Sequence, residues 1–153
     1  MREKSVPNVM QQSDPNVTQQ VTALRRRRIL PIRTRTPAVH PDATYLARLY
    51  YTALDDHGYD TLQELLCPTF VHDREDMTLD GRDEFVSFMR DGRPQTETTH
   101  VIDQYIQSKH GDEIVVRGHL EDSSGDELFV FLDRFRAREG KLVELKTFTR
   151  TPN

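Results

Sequence analysis

From Pro94 to its C-terminus the chain is a run of strand-length segments separated by turn chemistry, and this meander restricts the fold more than anything upstream. Thr98 to Ser108, Glu113 to Glu121, Glu127 to Ala137 and Lys141 to about Thr149 are rich in β-branched and aromatic residues. The connections Lys109-His110-Gly111-Asp112, Asp122-Ser123-Ser124-Gly125-Asp126 and Arg138-Glu139-Gly140 have hairpin length and composition. Strands joined this closely pair antiparallel.

Three helices are predicted ahead of the meander. Leu46, Leu49, Tyr50, Ala53 and Leu54 recur at helical spacing, with Asp42 or Thr44 as N-cap and Gly58 as the stop. In the second helix Asp60 is the expected cap, Gln63 sits at the capping-box position, Leu62, Leu65 and Leu66 form the apolar stripe, and Pro68 ends it. The third begins near Gly81, carries Asp83 and Glu84 in its first turn, buries Phe85, Phe88 and Met89, and closes at Gly92 and Pro94. Thr69 to Leu79 reads as extended. The expected fold is α+β: a strongly curved antiparallel sheet capped on one face by three N-terminal helices.

Charge divides the chain. Its net is −4, yet residues 1–42 hold eight bases and three acids, leaving thirteen bases against 22 acids in residues 43–153. The first 41 residues carry five prolines, a Gln/Asn/Ser-rich stretch and the run Arg25-Arg26-Arg27-Arg28, with no sustained apolar period. They are expected to be a disordered basic tail ahead of a domain at 42–151. Clustered guanidinium groups bind phosphates, so any contact with nucleic acid is weak and confined to that tail. A solvated tail is the simpler reading. The acidic body, with three lysines against ten arginines, has the composition of a protein adapted to high salt. One cysteine, Cys67, excludes an intramolecular disulfide and a Cys-rich zinc site. No apolar run approaches the roughly 20 residues of a membrane-spanning helix. No secretory leader is visible, and a cytoplasmic protein is the expectation.

Strand alternation picks out the residues able to carry chemistry. Along 127–137 one face is Leu128, Val130, Leu132, Arg134 and Arg136, and the other is Phe129, Phe131, Asp133 and Phe135. A carboxyl group among three Phe rings is desolvated, which raises its pKa and suits it to proton transfer. The bland alternative makes Asp133 the ion-pair partner of Arg117 or Arg134. A hairpin centred on Ser124 sets Val115 opposite Asp133 and His119 opposite Phe129. In that register His119 shares the face of Asp133 about 13 Å along the sheet, and Arg117 is the diagonal neighbour. His100 is expected on a face with Ile102, Gln104 and Ile106, and His72 on one with Phe70, Arg74 and Asp76. Tyr50 and Tyr51 offer phenols from the first helix, either to a ligand oxygen or to the core. Metal-ligand spacings, a glycine-rich phosphate loop and a nucleophile elbow are lacking, so no metal and no cofactor are expected.

The stretch Asp133-Arg134-Phe135-Arg136-Ala137-Arg138-Glu139-Gly140-Lys141-Leu142-Val143-Glu144 resembles the closing strand pair of the SnoaL-like polyketide cyclases, within the nuclear-transport-factor-2-like (ketosteroid isomerase-like) superfamily. Pro68-Thr69-Phe70-Val71-His72-Asp73, Gly81-Arg82-Asp83-Glu84-Phe85 and Phe88-Met89 are similar to that family's first strand and third helix. The resemblance spans roughly residues 43 to 150 and implies the superfamily's cone-shaped α+β barrel. It also implies that Asp133 is the catalytic acid/base and that His72, His100 and His119 line the pocket. Homodimerisation through the exposed sheet face is implied as well. The chain departs from the family after Glu144, where His, Trp and Asp give way to Leu145, Lys146 and Thr147, implying a site poorer in polar groups.

Two functional classes follow. One is a cofactor-free isomerase, cyclase or dehydratase acting on a small, largely apolar carbonyl compound. Asp133 would move the proton, with His72, His100 or a tyrosine at the oxyanion and Arg117, His119, Tyr50, Phe129, Phe131 and Phe135 lining the pocket. The other is a non-catalytic ligand-binding or dimerisation module whose pocket is filled by Phe side chains. A cavity shared by Asp133 and either His72 or His100 favours the first class.

Overall fold

The computed structural model describes residues 40–152, and the predicted basic tail with Arg25 to Arg28 lies outside them. Helix α1 (Ala43–Asp55) starts where the Asp42 carboxylate accepts from the Tyr45 N–H at 2.9 Å. Its apolar stripe buries Leu46, Ala47, Tyr50, Tyr51 and Leu54. The helix ends through His57, which takes the left-handed conformation (φ 58°) expected of Gly58. Gly58 instead donates to Ala53 O at 2.7 Å and serves as N-cap of helix α2 (Tyr59–Leu65), leaving Asp60 in the first turn rather than at the cap.

Strand β1 (Leu66–Arg74) begins earlier than expected, and Pro68 lies inside it. Between Leu66 and Val71 the pairing with the last strand breaks register, which accommodates a residue with no N–H to give to a ladder. A short strand β2 (Thr78–Asp80) folds back on β1. Helix α3 (Arg82–Ser87) then runs into a π-helical turn, Phe88–Gly92, in which Arg93 N donates to Phe88 O. Gly92 permits that turn, because a Cβ there would sit 2.7 Å from the Phe88 ring. Phe88 is half-buried at the start of this turn, and Val86 of α3 lies in the core beside Phe85 and Met89.

The meander is β3 (Thr99–Gln107), β4 (Glu113–Glu121), β5 (Glu127–Arg138) and β6 (Lys141–Arg150). All six strands form one curved sheet in the order β2-β1-β6-β5-β4-β3. Every pair is antiparallel except β1–β6, which is parallel, so the sheet is mixed rather than wholly antiparallel. The helices cover one face, and the core lies between them. Tyr50 packs edge-on against Phe135 with ring centroids 5.0 Å apart, and Phe70 meets Phe85 at 5.1 Å. Among the described residues no helix is long and apolar enough to cross a membrane.

One register differs from the expected one and changes which side chains meet. At the hairpin Glu121 pairs with Glu127, but a bulge between Leu120 and Glu121 shifts everything beyond by one residue. Asp133 therefore faces Val116, not Val115, and His119 pairs with Val130, not Phe129. A one-residue slip exchanges the two faces of a strand. His119 and Arg117 thus lie on the outer face with Leu132 and Arg134, a correction to their expected place beside Asp133. A second bulge, between Ile102 and Gln104, returns Tyr105 rather than Ile106 to the face of His100.

Candidate functional site

Between the helices and the inner sheet face lies a cavity of about 350 Å³. Leu54, Phe88, Met89, Leu120, Phe129 and Phe131 form much of its apolar wall. Asp133, His72, His100 and Tyr50 share it, together with Arg74, Arg93, Thr98 and Thr147. Phe135 does not. It is fully buried between Tyr50 and Tyr51 as core, so of the three Phe residues expected to line the pocket only Phe129 and Phe131 do.

Asp133 is 5% exposed, and both of its oxygens are held. Tyr51 donates its hydroxyl to Oδ2 at 2.7 Å, and Thr147, its cross-strand partner on β6, donates to Oδ1 at 2.6 Å. Neither Arg117 nor Arg134 reaches it. Arg134 pairs with Glu144 at 2.6 Å on the outer face, where His119 also bonds Glu121 at 2.9 Å. Burial pushes the Asp133 pKa up, and the Thr147 and Tyr51 bonds oppose that without reversing it. Burial and the neighbouring Asp133 charge raise both Tyr50 and Tyr51 well above the ordinary phenol value, so both stay neutral donors.

His72 is tied to the same group through Thr147. Its Nε2 lies 2.9 Å from Thr147 Oγ1. Because that hydroxyl donates to Asp133, Nε2 carries the proton and donates. Burial, and then the Arg74 cation, lower the His72 pKa from 6.5 to about 3, which keeps the ring neutral. Its Nδ1 is buried and has no partner among the described residues.

His100 sits at the entrance of β3, as its sequence position suggested, and is locked by a residue that sequence reasoning did not single out. Asp55, at the last turn of α1, accepts from His100 Nδ1 at 2.6 Å and from the His100 backbone N–H at 3.0 Å. With Nδ1–H committed to a carboxylate, Nε2 is the nitrogen left for a ligand. The ring rests on Tyr51 and Phe131, with centroids 5.0 and 5.6 Å away. The cavity therefore holds two ionisable side chains, Asp133 and His100, in separate settings. One is a buried carboxylate fixed by two hydroxyls, and the other is an imidazole fixed by a carboxylate.

Thr147 and Asp55 escaped the sequence reading because each acts through a partner far away in the chain. Arg93 escaped it because it lies between elements, where alternation gives no signal, and Thr98, expected at the start of the first meander strand, sits just ahead of β3. Thr147 also revises the inference from the departure after Glu144, since this segment does supply the site with a polar group.

Residues 47–145 match the family model for the SnoaL-like domain. No curated protein matches the chain in sequence. Among solved structures, an NTF2-like protein of unknown function from Cytophaga hutchinsonii ATCC 33406 superposes with a TM-score of 0.62 at 10% identity, covering 74% of this chain and 95% of that one. A candidate ketosteroid isomerase from Kribbella flavida DSM 17836 gives 0.63 at 15% identity over 71% and 78% of the two chains. An LEH-like epoxide hydrolase of M. tuberculosis gives 0.59 at 13% identity over 69% and 80%. At such identities the structures share a fold, and their activities do not transfer. A family model that spans most of the chain, on a sheet and helices of the NTF2-like kind, places the protein in the SnoaL-like domain family.

Proposed function

We propose that the protein is a cofactor-independent acid–base catalyst acting next to the carbonyl of a small, largely apolar molecule. The observation that carries this reading is the buried Asp133 carboxylate, raised in pKa and sharing one cavity with His100 and Tyr50. A base poised above the ordinary carboxylate range can take a proton from carbon and return it at another position. Tyr50, whose hydroxyl has no partner among the described residues, donates to the developing oxyanion. His100, oriented by Asp55, handles the second proton of an isomerisation or dehydration. His72 does not touch the reacting atoms in this reading. It fixes the Thr147 hydroxyl that holds Asp133.

Hydrogen–deuterium exchange of small ketones in D2O tests the proposal without knowledge of the natural substrate. The protein should speed exchange at the carbon next to the carbonyl for some members of a panel. Asp133→Asn should lower that rate at least 100-fold, while Asp55→Asn lowers it roughly 10-fold and shifts the pH profile. Ketones that bind equally well to wild type and Asp133→Asn, with no exchange above buffer, would favour the non-catalytic ligand-binding module instead.

A further inference from the structure

The wall of the cavity opposes the charge of the domain around it. The body of the chain carries 22 acids against thirteen bases, yet two guanidinium groups, Arg74 and Arg93, line the pocket. Arg74 is already paired, with Nε and Nη2 donating to the Asp76 carboxylate at 3.0 and 3.2 Å. Arg93 is placed differently. Its Nε donates to Met89 O at 2.7 Å and its Nη2 to the Tyr59 hydroxyl at 3.3 Å, both neutral acceptors. No carboxylate among the described residues lies within ion-pair distance of it, and Asp133 is bonded by Tyr51 and Thr147 instead.

Thr98 lines the same cavity. It is 5% exposed, and its Oγ1 is buried with no hydrogen-bond partner among the described residues. A hydroxyl buried without a partner costs about 1–3 kcal/mol, and such a group in a binding cavity is one that a ligand can satisfy. Arg93 and Thr98 both line the cavity, and both belong to the segment that joins the π-helical turn to β3.

We infer that the ligand of this cavity carries a carboxylate, bound by the Arg93 guanidinium and the Thr98 hydroxyl, so that the substrate class is a small oxo acid rather than a neutral ketone. A guanidinium fixed by neutral acceptors keeps its charge and its remaining N–H groups for an anion, and a carboxylate matches that fork. The charged end of the ligand would then lie at Arg93 while its apolar body rests on Phe88, Phe129 and Phe131. The inference rests on the reading of the cavity as a small-molecule site, but it needs no turnover.

The test is a binding titration of the full chain with three matched probes, 4-oxo-4-phenylbutanoate, its methyl ester and 1-phenylbutan-1-one, by calorimetry and backbone-amide NMR. The acid should bind at least ten-fold more tightly than the ester and the ketone, with the largest amide shifts at Arg93 and Thr98. Arg93→Gln should remove that preference and leave ester binding unchanged. Thr98→Val, which keeps the volume of the side chain, should reduce the preference several-fold and covers the case in which the arginine variant is unstable. Equal binding of acid and ester to the wild type, equal weakening of both by Arg93→Gln, or binding of none of the probes overturns the inference. Loss of the preference for acid with Asp133-dependent exchange intact leaves the catalytic reading standing. Preference for the acid with no exchange leaves the carboxylate site standing without catalysis.

Discussion

Asp133 and His72 lie on either side of Thr147 and pull the pH dependence of stability in opposite directions. The folded pKa of Asp133 lies above its unfolded value, so between the two the native state holds more protons than the unfolded chain. Its contribution is present below the unfolded pKa and is lost as pH rises through the folded one. For His72 the folded value is depressed to about 3, so its contribution is present above 6.5 and is lost as pH falls toward 3. That loss is on the order of 4–5 kcal/mol. Melting curves from pH 3 to pH 8 should show an acid limb that His72→Gln flattens. Asp133→Asn should be the more stable protein near neutral pH, with an advantage that shrinks as pH is lowered. An Asp133→Asn protein that melts below wild type throughout would mean that hydrogen bonding, not burial, governs this carboxylate.

At the level of elements, the inner face of the sheet is shaped by irregularities in pairing. Bulges fall at Ile102/Gln104, Leu120/Glu121 and Arg136/Ala137, one in each hairpin of the meander. Each bends the sheet around the helices and re-aims the side chains beyond it. The first requires a glycine across from it. A Cβ on Gly118 would collide with the Val101 carbonyl and would lie 2.9 Å from the Phe131 ring. Gly118→Ala should therefore cost roughly 1–3 kcal/mol in urea unfolding and shift Phe131, a wall of the cavity and a support of His100. An alanine variant of wild-type stability would show that β3 can move away from β4 freely.

At the scale of the whole molecule, charge separates the chain more sharply than the net of −4 suggests. Residues 1–39 lie ahead of the described fold, whose first helix is capped by its own Asp42. A chain lacking residues 1–39 is expected to melt at the same temperature as the full protein, and a large drop would show that the segment contributes to the folded core. The acidic body repels itself, so salt should raise the melting temperature of both proteins as screening grows. A fall with added salt would count against that electrostatic reading.

The sequence by itself determined the three helices and the four-strand meander in their order, because helical period, strand alternation and turn chemistry act over a few neighbouring residues; the stretch read as one extended segment, Thr69 to Leu79, is instead divided between two strands, β1 and β2. The same short-range pattern set Asp133 among Phe129, Phe131 and Phe135 before any contact was known. Tertiary structure decided the partners. Tyr51 lies 82 residues from Asp133, Thr147 lies 14 away, and Asp55 lies 45 from His100, distances over which local pattern carries no information. The one-residue bulge at Leu120/Glu121 then removed His119 and Arg117 from the site, since the turn by itself does not distinguish two registers that differ by one residue. Packing of the inner face against α1 distinguishes them, because only the observed register buries Val116 and Ile114 beneath the helix and leaves His119 to Glu121 on the outer face.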